Sequence, residues 1–156
     1  MTPEFRYAVE EVLRSEGGLV NDPKDPGGLT NFGISQRAYP GVDIAKLTKE
    51  EAIAIYHRDY WLNAGCDKLP AALGAVVFDA AVNQGVDRAV KMLQTALGVT
   101  ADGIIGPQTV ARASLIPKTA MVDFTAQRIL HYASLPTFGR FGKGWVSRAV
   151  RAAVGA

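Results

Sequence analysis

A glutamate at the end of a predicted helix has the clearest potential for chemistry in this sequence. Glu16 closes a segment beginning near Pro3 in which apolar residues recur at helical spacing. The unpaired carbonyls at a helix C-terminus disfavour negative charge, and chains usually place lysine or arginine there. If Leu19 and Val20 also exclude water, both effects favour the protonated acid that general-acid catalysis near neutral pH requires. The alternative is a solvent-exposed glutamate at a frayed helix end.

A loop rich in proline and glycine follows this glutamate and carries further polar groups. Asp22 and Asp25 lie six and nine residues beyond Glu16, and Thr30 and Asn31 follow a glycine pair. Glycoside hydrolysis needs one carboxylic acid to protonate the leaving oxygen and a second group to stabilise the oxocarbenium-like centre or position water. A stiff loop that returns carboxylates and a hydroxyl toward Glu16 would meet that need. Alternatively, the two aspartates bond their own backbone in turns.

Other chemistries have little support in the sequence. There is no phosphate-binding glycine-rich loop followed by Lys-Ser or Lys-Thr, and no Gly-x-Ser-x-Gly nucleophile motif. The single cysteine excludes an internal disulfide, and two histidines are too few for the usual zinc sites, so we expect no metal. Cys66 paired with His57 or His131 is a formal nucleophile candidate, but lone cysteines are more often core residues.

Composition and charge bound the class of protein and its partners. The 156 residues are 48% hydrophobic and 21% charged, as in a globular protein. Residues 61–156 carry five acidic and ten basic side chains, which indicates either an anionic partner or a solvated helix face. Basic and aromatic residues do not interleave as in nucleic-acid binders, so we expect no nucleic acid. The longest apolar stretch, residues 70–82, contains Asp79 and is too short for membrane insertion.

Capping signals and apolar periodicity predict an all-α fold with a short β-hairpin near residue 30, in a single compact body. Thr48 and Glu51 form a capping box, and Gly98 lies where a helix C-cap belongs. The apolar helix after Pro70 should lie centrally because its whole circumference is hydrophobic. The expected helices are residues 3–16, 48–63, 70–84, 86–97, a segment starting at 107, 117–133 and 145–154.

The segment around Glu16 resembles a known family. Residues 15–35 read Ser-Glu-Gly-Gly-Leu-Val-Asn-Asp-Pro-Lys-Asp-Pro-Gly-Gly-Leu-Thr-Asn-Phe-Gly-Ile-Ser, which is similar to the signature of glycoside hydrolase family 108. The resemblance implies a lysozyme-like helical fold, N-acetylmuramidase activity, Glu16 as catalytic acid and no metal or organic cofactor. The order Glu16–Asp25–Thr30 also resembles the Glu/Asp/Thr triad of phage-type lysozymes, with four residues between Asp25 and Thr30 where that pattern usually has five. Asp22 is the alternative second carboxylate, and Asp22 and Asn31 are also candidates for binding the substrate.

The second half of the chain resembles the predicted peptidoglycan-binding domain that accompanies this family. The matching residues lie at 78–85, 93–99, 102–107 and 109. The two resemblances imply a catalytic region at 1–85 and a helical peptidoglycan-binding region at 86–156 packed on it. Tyr60 and Trp61 are candidates for stacking on sugar rings, with a core position as the alternative. Asn83 is a candidate for hydrogen bonds to N-acetyl groups, with a helix cap as the alternative.

Together these features predict a lysozyme-type endolysin that cuts the β-1,4 bond between N-acetylmuramic acid and N-acetylglucosamine in peptidoglycan. The alternative is a non-catalytic peptidoglycan-binding or secretion-accessory protein. We expect a monomer. The first residues contain no apolar signal-peptide core, so the expectation is synthesis in the cytoplasm. The protein would then act on the wall, in the periplasm, after release through a holin-like pore or a dedicated route.

Overall fold

The computed structural model describes residues 1–20 and 28–155. Those residues form seven α-helices and one two-stranded antiparallel sheet, which confirms the predicted all-α class with a short hairpin near residue 30. The elements are α1 (Pro3–Glu16), β1 (Thr30–Asn31), β2 (Ile34–Ser35), α2 (Lys49–Tyr56), α3 (Ala71–Gln84), α4 (Val86–Leu97), α5 (Pro107–Leu115), α6 (Pro117–Ala133) and α7 (Phe138–Val154).

Packing divides the chain into two compact units, Met1–Arg58 and Asp59–Ala156. The first contains α1, the hairpin and α2, and the second contains α3 to α7. Within the second unit, α3 packs against α4, α6 and α7. The predicted boundary between a catalytic region at 1–85 and a peptidoglycan-binding region at 86–156 divides the chain by function and not by packing. It stays a prediction.

In the first unit, local signals fix both ends of α1. Thr2 Oγ1 accepts a hydrogen bond of 3.3 Å from the Phe5 N–H, and Pro3 occupies the first helical position. Gly17, with φ of 77°, ends the helix after Glu16. The buried face consists of Phe5, Ala8, Val9, Val12 and Leu13. The predicted bounds of this helix are therefore confirmed.

The hairpin and α2 complete the first unit. β1 and β2 pair with Thr30 opposite Ser35 and Asn31 opposite Ile34, joined by a two-residue turn. Both turn residues, Phe32 and Gly33, have positive φ values of 52° and 77°, as tight hairpin turns require. The predicted capping box of α2 is confirmed by Thr48 Oγ1 accepting from the Glu51 N–H and by Glu51 Oε2 accepting from the Thr48 N–H.

A partly buried ion-pair cluster joins three helices of the second unit. Asp79 Oδ2 on α3 lies 2.8 Å from Arg128 Nη2 on α6, and Asp79 Oδ1 lies 3.0 Å from Arg148 Nε on α7. Arg128 has no exposed surface, and its Nε donates to Gln84 Oε1 at 3.1 Å. One carboxylate therefore holds two guanidinium groups at the centre of this unit. Among the described residues, no helix combines the length and the apolar character needed to cross a membrane.

The loop between α4 and α5 is organised by one side chain. Gln94, which is 1% exposed, donates from Nε2 to Asp102 Oδ1 at 2.7 Å and to the Ile104 carbonyl at 2.9 Å. Its Oε1 accepts from the Gly103 N–H at 2.8 Å. Asp102 Oδ1 also accepts from the Ile104 N–H, and these hydrogen bonds hold the pKa of Asp102 below its usual value.

Two helix predictions need correction. The last helix begins at Phe138, seven residues before the predicted start at Trp145. Its first turns contain three glycines, which lower helix propensity, so the sequence does not predict a helix there. A Cβ at Gly142 would lie 2.5 Å from the Phe138 ring, so a larger residue at this position would force the ring to move. The helix predicted to run from 48 to 63 instead changes at His57–Leu62 into π-helical turns.

Candidate functional site

Glu16 is the last residue of α1 and is half-buried against the hairpin of the same unit. Its surroundings are defined by Gly33, where an added Cβ would lie 2.9 Å from Glu16 Cγ and 3.0 Å from Glu16 Cβ. The missing side chain at the hairpin turn thus makes room for the aliphatic part of the glutamate. A frayed, fully exposed glutamate, the alternative raised by the sequence, is not what the structure shows.

A tyrosine lies at the same point and fixes the turn. The same Cβ at Gly33 would lie 2.5 Å from Tyr56 Oη, and this hydroxyl donates to the Phe32 carbonyl at 2.9 Å. Tyr56 is only 1% exposed, so its ring is a core element of α2. Glu16, Gly33 and Tyr56 therefore meet at one place. Sequence reasoning missed this cluster because its members are far apart in the chain and share no local motif.

Thr30 lies next to the chain that leaves Glu16. Its N–H donates to the Val20 carbonyl at 2.9 Å, and the Val20 N–H donates to the Thr30 carbonyl at 2.8 Å. Thr30 Oγ1 donates to the Gly28 carbonyl at 3.3 Å. This backbone pair places β1 alongside the fourth residue after the glutamate. Asp22 and Asp25 lie outside the described residues, so their roles stay predictions.

The expected apolar shield around Glu16 does not come from the residues predicted to form it. Leu19 and Val20 are 57% and 52% exposed. They cannot exclude water from the carboxyl group to the extent the sequence suggested. Within the described residues, the hairpin turn at Gly33 lies against the aliphatic part of Glu16.

Asn31 has a structural position in the first unit. It is 8% exposed, and its Nδ2 donates to the carbonyls of Ile44 at 3.2 Å and Leu47 at 3.3 Å. These bonds tie the hairpin to the 3-10 turn Ile44–Lys46 and the chain entering α2. Its substrate-binding role stays a prediction, and the two internal bonds account for the residue without one.

The aromatic candidates lie in the π-helical segment, where Tyr60 is half-buried and keeps its predicted role as an expectation. Trp61 needs correction. It is 2% exposed, and its ring meets Phe78 edge to face with centroids 5.6 Å apart. A ring enclosed in this way has no face left for a sugar, so Trp61 is a core residue, as its helical spacing also allowed.

The cysteine candidate for nucleophilic chemistry is not supported. Cys66 is 1% exposed, and burial raises the pKa of its thiol far above the usual range. The thiolate is the reactive form, so this side chain is an inert part of the core. His57, the partner considered for it, packs its ring against Phe5 with centroids 4.6 Å apart.

A cavity of about 260 Å³ opens in the second unit, where α3, α4, α6 and α7 meet. Asn83 is exposed at its edge, and its Nδ2 donates to the Asp79 carbonyl one turn earlier at 2.7 Å. The cavity is lined by Asn83, Gln84, Arg88, His131, Tyr132, Leu135 and Trp145. The predicted role of Asn83 in substrate binding stays a prediction, and the cavity gives it a specific location.

Comparisons with known proteins agree with these features. The family profile described as Glycosyl hydrolase 108 matches residues 9–85, and the profile described as Predicted Peptidoglycan domain matches residues 88–150. Among solved structures, that of Brucella abortus SagA is similar, with a TM-score of 0.86 and 38% sequence identity over 96% of this chain and 91% of that chain. No curated protein matches the chain.

The chain is therefore a glycoside hydrolase that acts on peptidoglycan. It belongs to glycoside hydrolase family 108, as the segment around Glu16 indicated.

Proposed function

We propose that this protein is an N-acetylmuramidase, a lysozyme-type endolysin that hydrolyses the β-1,4 bond between N-acetylmuramic acid and N-acetylglucosamine, with Glu16 as general acid. The observation that carries the proposal is the position of Glu16, half-buried at the C-terminal end of α1 against the hairpin turn. A general acid gives its proton to the glycosidic oxygen, and the half-buried carboxyl group of Glu16 is the group proposed to do so.

The reaction needs a second group on the other side of the scissile bond. As the carboxyl group of Glu16 gives its proton to the leaving oxygen, positive charge develops on the ring carbon and oxygen of the muramic acid residue. Asp25, or Asp22 in its place, would stabilise that charge or orient the attacking water. Thr30, on the strand paired with Val20, would help to hold the water. Neither a metal nor an organic cofactor is required by this scheme.

Glu16→Gln tests the assignment, since it keeps the shape of the side chain and removes the acid. The measurement is loss of turbidity of purified cell wall, with mass spectrometry of the released fragments. We expect reducing-end N-acetylmuramic acid from the wild type and a loss of rate of at least about 100-fold in the variant. Glu11→Gln is the matched control, because Glu11 is an exposed residue of the same helix that pairs with Arg14 at 2.7 Å.

The outcomes separate the candidate functions. Lysis at the normal rate by Glu16→Gln would overturn the mechanism. Binding of insoluble wall by the wild type without any release of reducing sugar would favour the non-catalytic peptidoglycan-binding or secretion-accessory role. Fragments ending in N-acetylglucosamine would show that the enzyme cuts the other glycosidic bond. The cell wall as place of action, reached through a holin-like pore or a dedicated route, and the monomeric state belong to the same proposal.

A further inference from the structure

The cavity of the second unit has the electrostatics of an anion site. Arg88 is an exposed residue of α4, and its Nη1 donates to the Gln84 carbonyl at 3.2 Å, which keeps the guanidinium at the cavity. None of the lining residues in the described part of the chain is acidic. Asp79, one turn before Asn83, is occupied by its two arginine partners. Among the described lining residues, the positive charge of Arg88 therefore has no carboxylate counterpart.

A histidine on another helix lines the same cavity and adds a polar group without charge. His131 on α6 lines the same cavity, and burial together with the charge of Arg88 lowers its pKa. At neutral pH it is therefore an uncharged imidazole that can donate or accept a hydrogen bond. Among the described residues, the cavity thus offers one cation, Arg88, and neutral polar groups around it.

The remaining wall is aromatic and firmly held. Trp145 on α7 is half-buried, stacks on Tyr132 with ring centroids 5.3 Å apart, and packs on Phe141 at 5.8 Å. A rigid indole of this kind can cover an aliphatic chain without losing much side-chain freedom. Asn83, exposed at the rim, supplies an amide suited to a peptide bond. Cation, amide and apolar wall together match a short peptide that carries a carboxylate.

We propose that this cavity binds the stem peptide of peptidoglycan, with Arg88 holding a peptide carboxylate, Asn83 bonding a peptide amide and Trp145 covering the aliphatic chain between them. The choice of this polymer rests on the proposed function. The glycan strand does not satisfy Arg88, because the lactyl carboxyl group of muramic acid is consumed in the amide bond to the peptide. The free carboxylates of the polymer lie on the peptide, and arginine binds carboxylates through charge-assisted hydrogen bonds.

The test is isothermal titration of the full chain with the tripeptide L-Ala-γ-D-Glu-diaminopimelate. Arg88→Gln should weaken its binding about tenfold or more, because a charged hydrogen bond is lost. Arg88→Lys should restore part of it by keeping the charge. Arg151→Gln, the same change at an exposed arginine outside the cavity, should leave the affinity within about twofold. Trp145→Leu should weaken binding as well, with circular dichroism to establish that the variant is folded.

Three further probes decide between ligand classes. The tripeptide with its carboxylates converted to amides and the neutral trimer of N-acetylglucosamine should not bind in a way that depends on Arg88. Inorganic phosphate that bound as tightly as the tripeptide would show a general anion site and overturn the assignment. Absence of tripeptide binding, or binding unchanged in Arg88→Gln, would overturn it also. The tripeptide has no glycosidic bond, so these outcomes are independent of whether Glu16 is the catalytic acid.

Discussion

The side chain of Glu16 occupies the space that a side chain at Gly33 would fill, since a Cβ there would lie 2.9 Å from Glu16 Cγ. The end of α1 and the turn of the hairpin therefore pack closely against each other at this point. The position of the proposed general acid depends on a residue 17 positions away in the sequence.

Gly33→Ala should therefore impair both folding and activity. The new methyl group meets Glu16 and Tyr56, and the backbone has a φ of 77° that alanine adopts at a cost. We expect the free energy of unfolding to fall by about 1–3 kcal/mol, with a larger relative loss of wall lysis. Urea unfolding and turbidity assays measure the two effects.

Gly41→Ala is the matched control, because nothing lies within 4 Å of a Cβ at that position. We expect the control to stay within about 0.5 kcal/mol of the wild type and to lyse walls normally. A Gly33→Ala variant as stable and as active as the control would contradict the described contact between the turn and the glutamate.

Asp79→Asn should be among the most destabilising single changes in the second unit. The substitution removes the carboxylate that pairs with Arg128, which has no exposed surface, and it also weakens the pair with Arg148. Removing one partner of a buried ion pair leaves a buried charge uncompensated, and typically costs about 3–5 kcal/mol. The free energy of unfolding from urea titration gives the value.

The comparison for this prediction is Asp87→Asn on the next helix. Asp87 pairs with Lys91 at 2.9 Å, and both side chains are largely exposed. Exposed pairs of this spacing contribute about 0.3–0.5 kcal/mol. Equal losses for the two aspartates would mean that the cluster around Arg128 is not desolvated as described.

We expect acid to lower the free energy of unfolding of the second unit, in part because Asp102 becomes protonated. Hydrogen bonds from the Gln94 amide and the Ile104 N–H lower the pKa of this carboxyl group in the folded state. The unfolded chain then binds a proton more readily than the folded chain. The ionised carboxylate therefore stabilises the fold at pH values above the usual aspartate pKa of 3.8. That contribution disappears as the pH falls through the lowered value.

Asp102→Asn isolates this effect, because asparagine keeps the shape but does not titrate. The difference in unfolding free energy between wild type and variant should be largest at pH 6 and should shrink below pH 3. The measurement is urea unfolding of both proteins across that range. A difference that is constant with pH, or that grows in acid, would contradict the proposed cause.

Much of the fold was predictable from local signals. The Thr2 cap, Gly17 and the capping box of Thr48 and Glu51 lie within a few residues of the ends that they specify, so the sequence displays them directly. The start of α7 was not predictable, because its glycines oppose helix formation and only the packing of the Phe138 ring on Gly142 explains the tolerance.

The candidate site was predictable only in its leading residue. Glu16 stands out through its position at a helix end, a property of the sequence alone. Gly33 lies close to both Glu16 and Tyr56, and because the three residues are far apart in the chain, no local spacing pattern predicts this arrangement. The sequence allowed two interpretations of Trp61, a platform for sugar rings and a core residue, because both give the same helical periodicity. Its burial in the structure shows that it is a core residue.

The two hydrogen bonds between Val20 and Thr30 use main-chain atoms alone, so any residue except proline could form them at those positions. The anchorage of the strand and the chemistry of its hydroxyl are consequently separable by mutation. A substitution such as Thr30→Val would therefore remove the hydroxyl proposed to hold the water and leave both main-chain bonds in place.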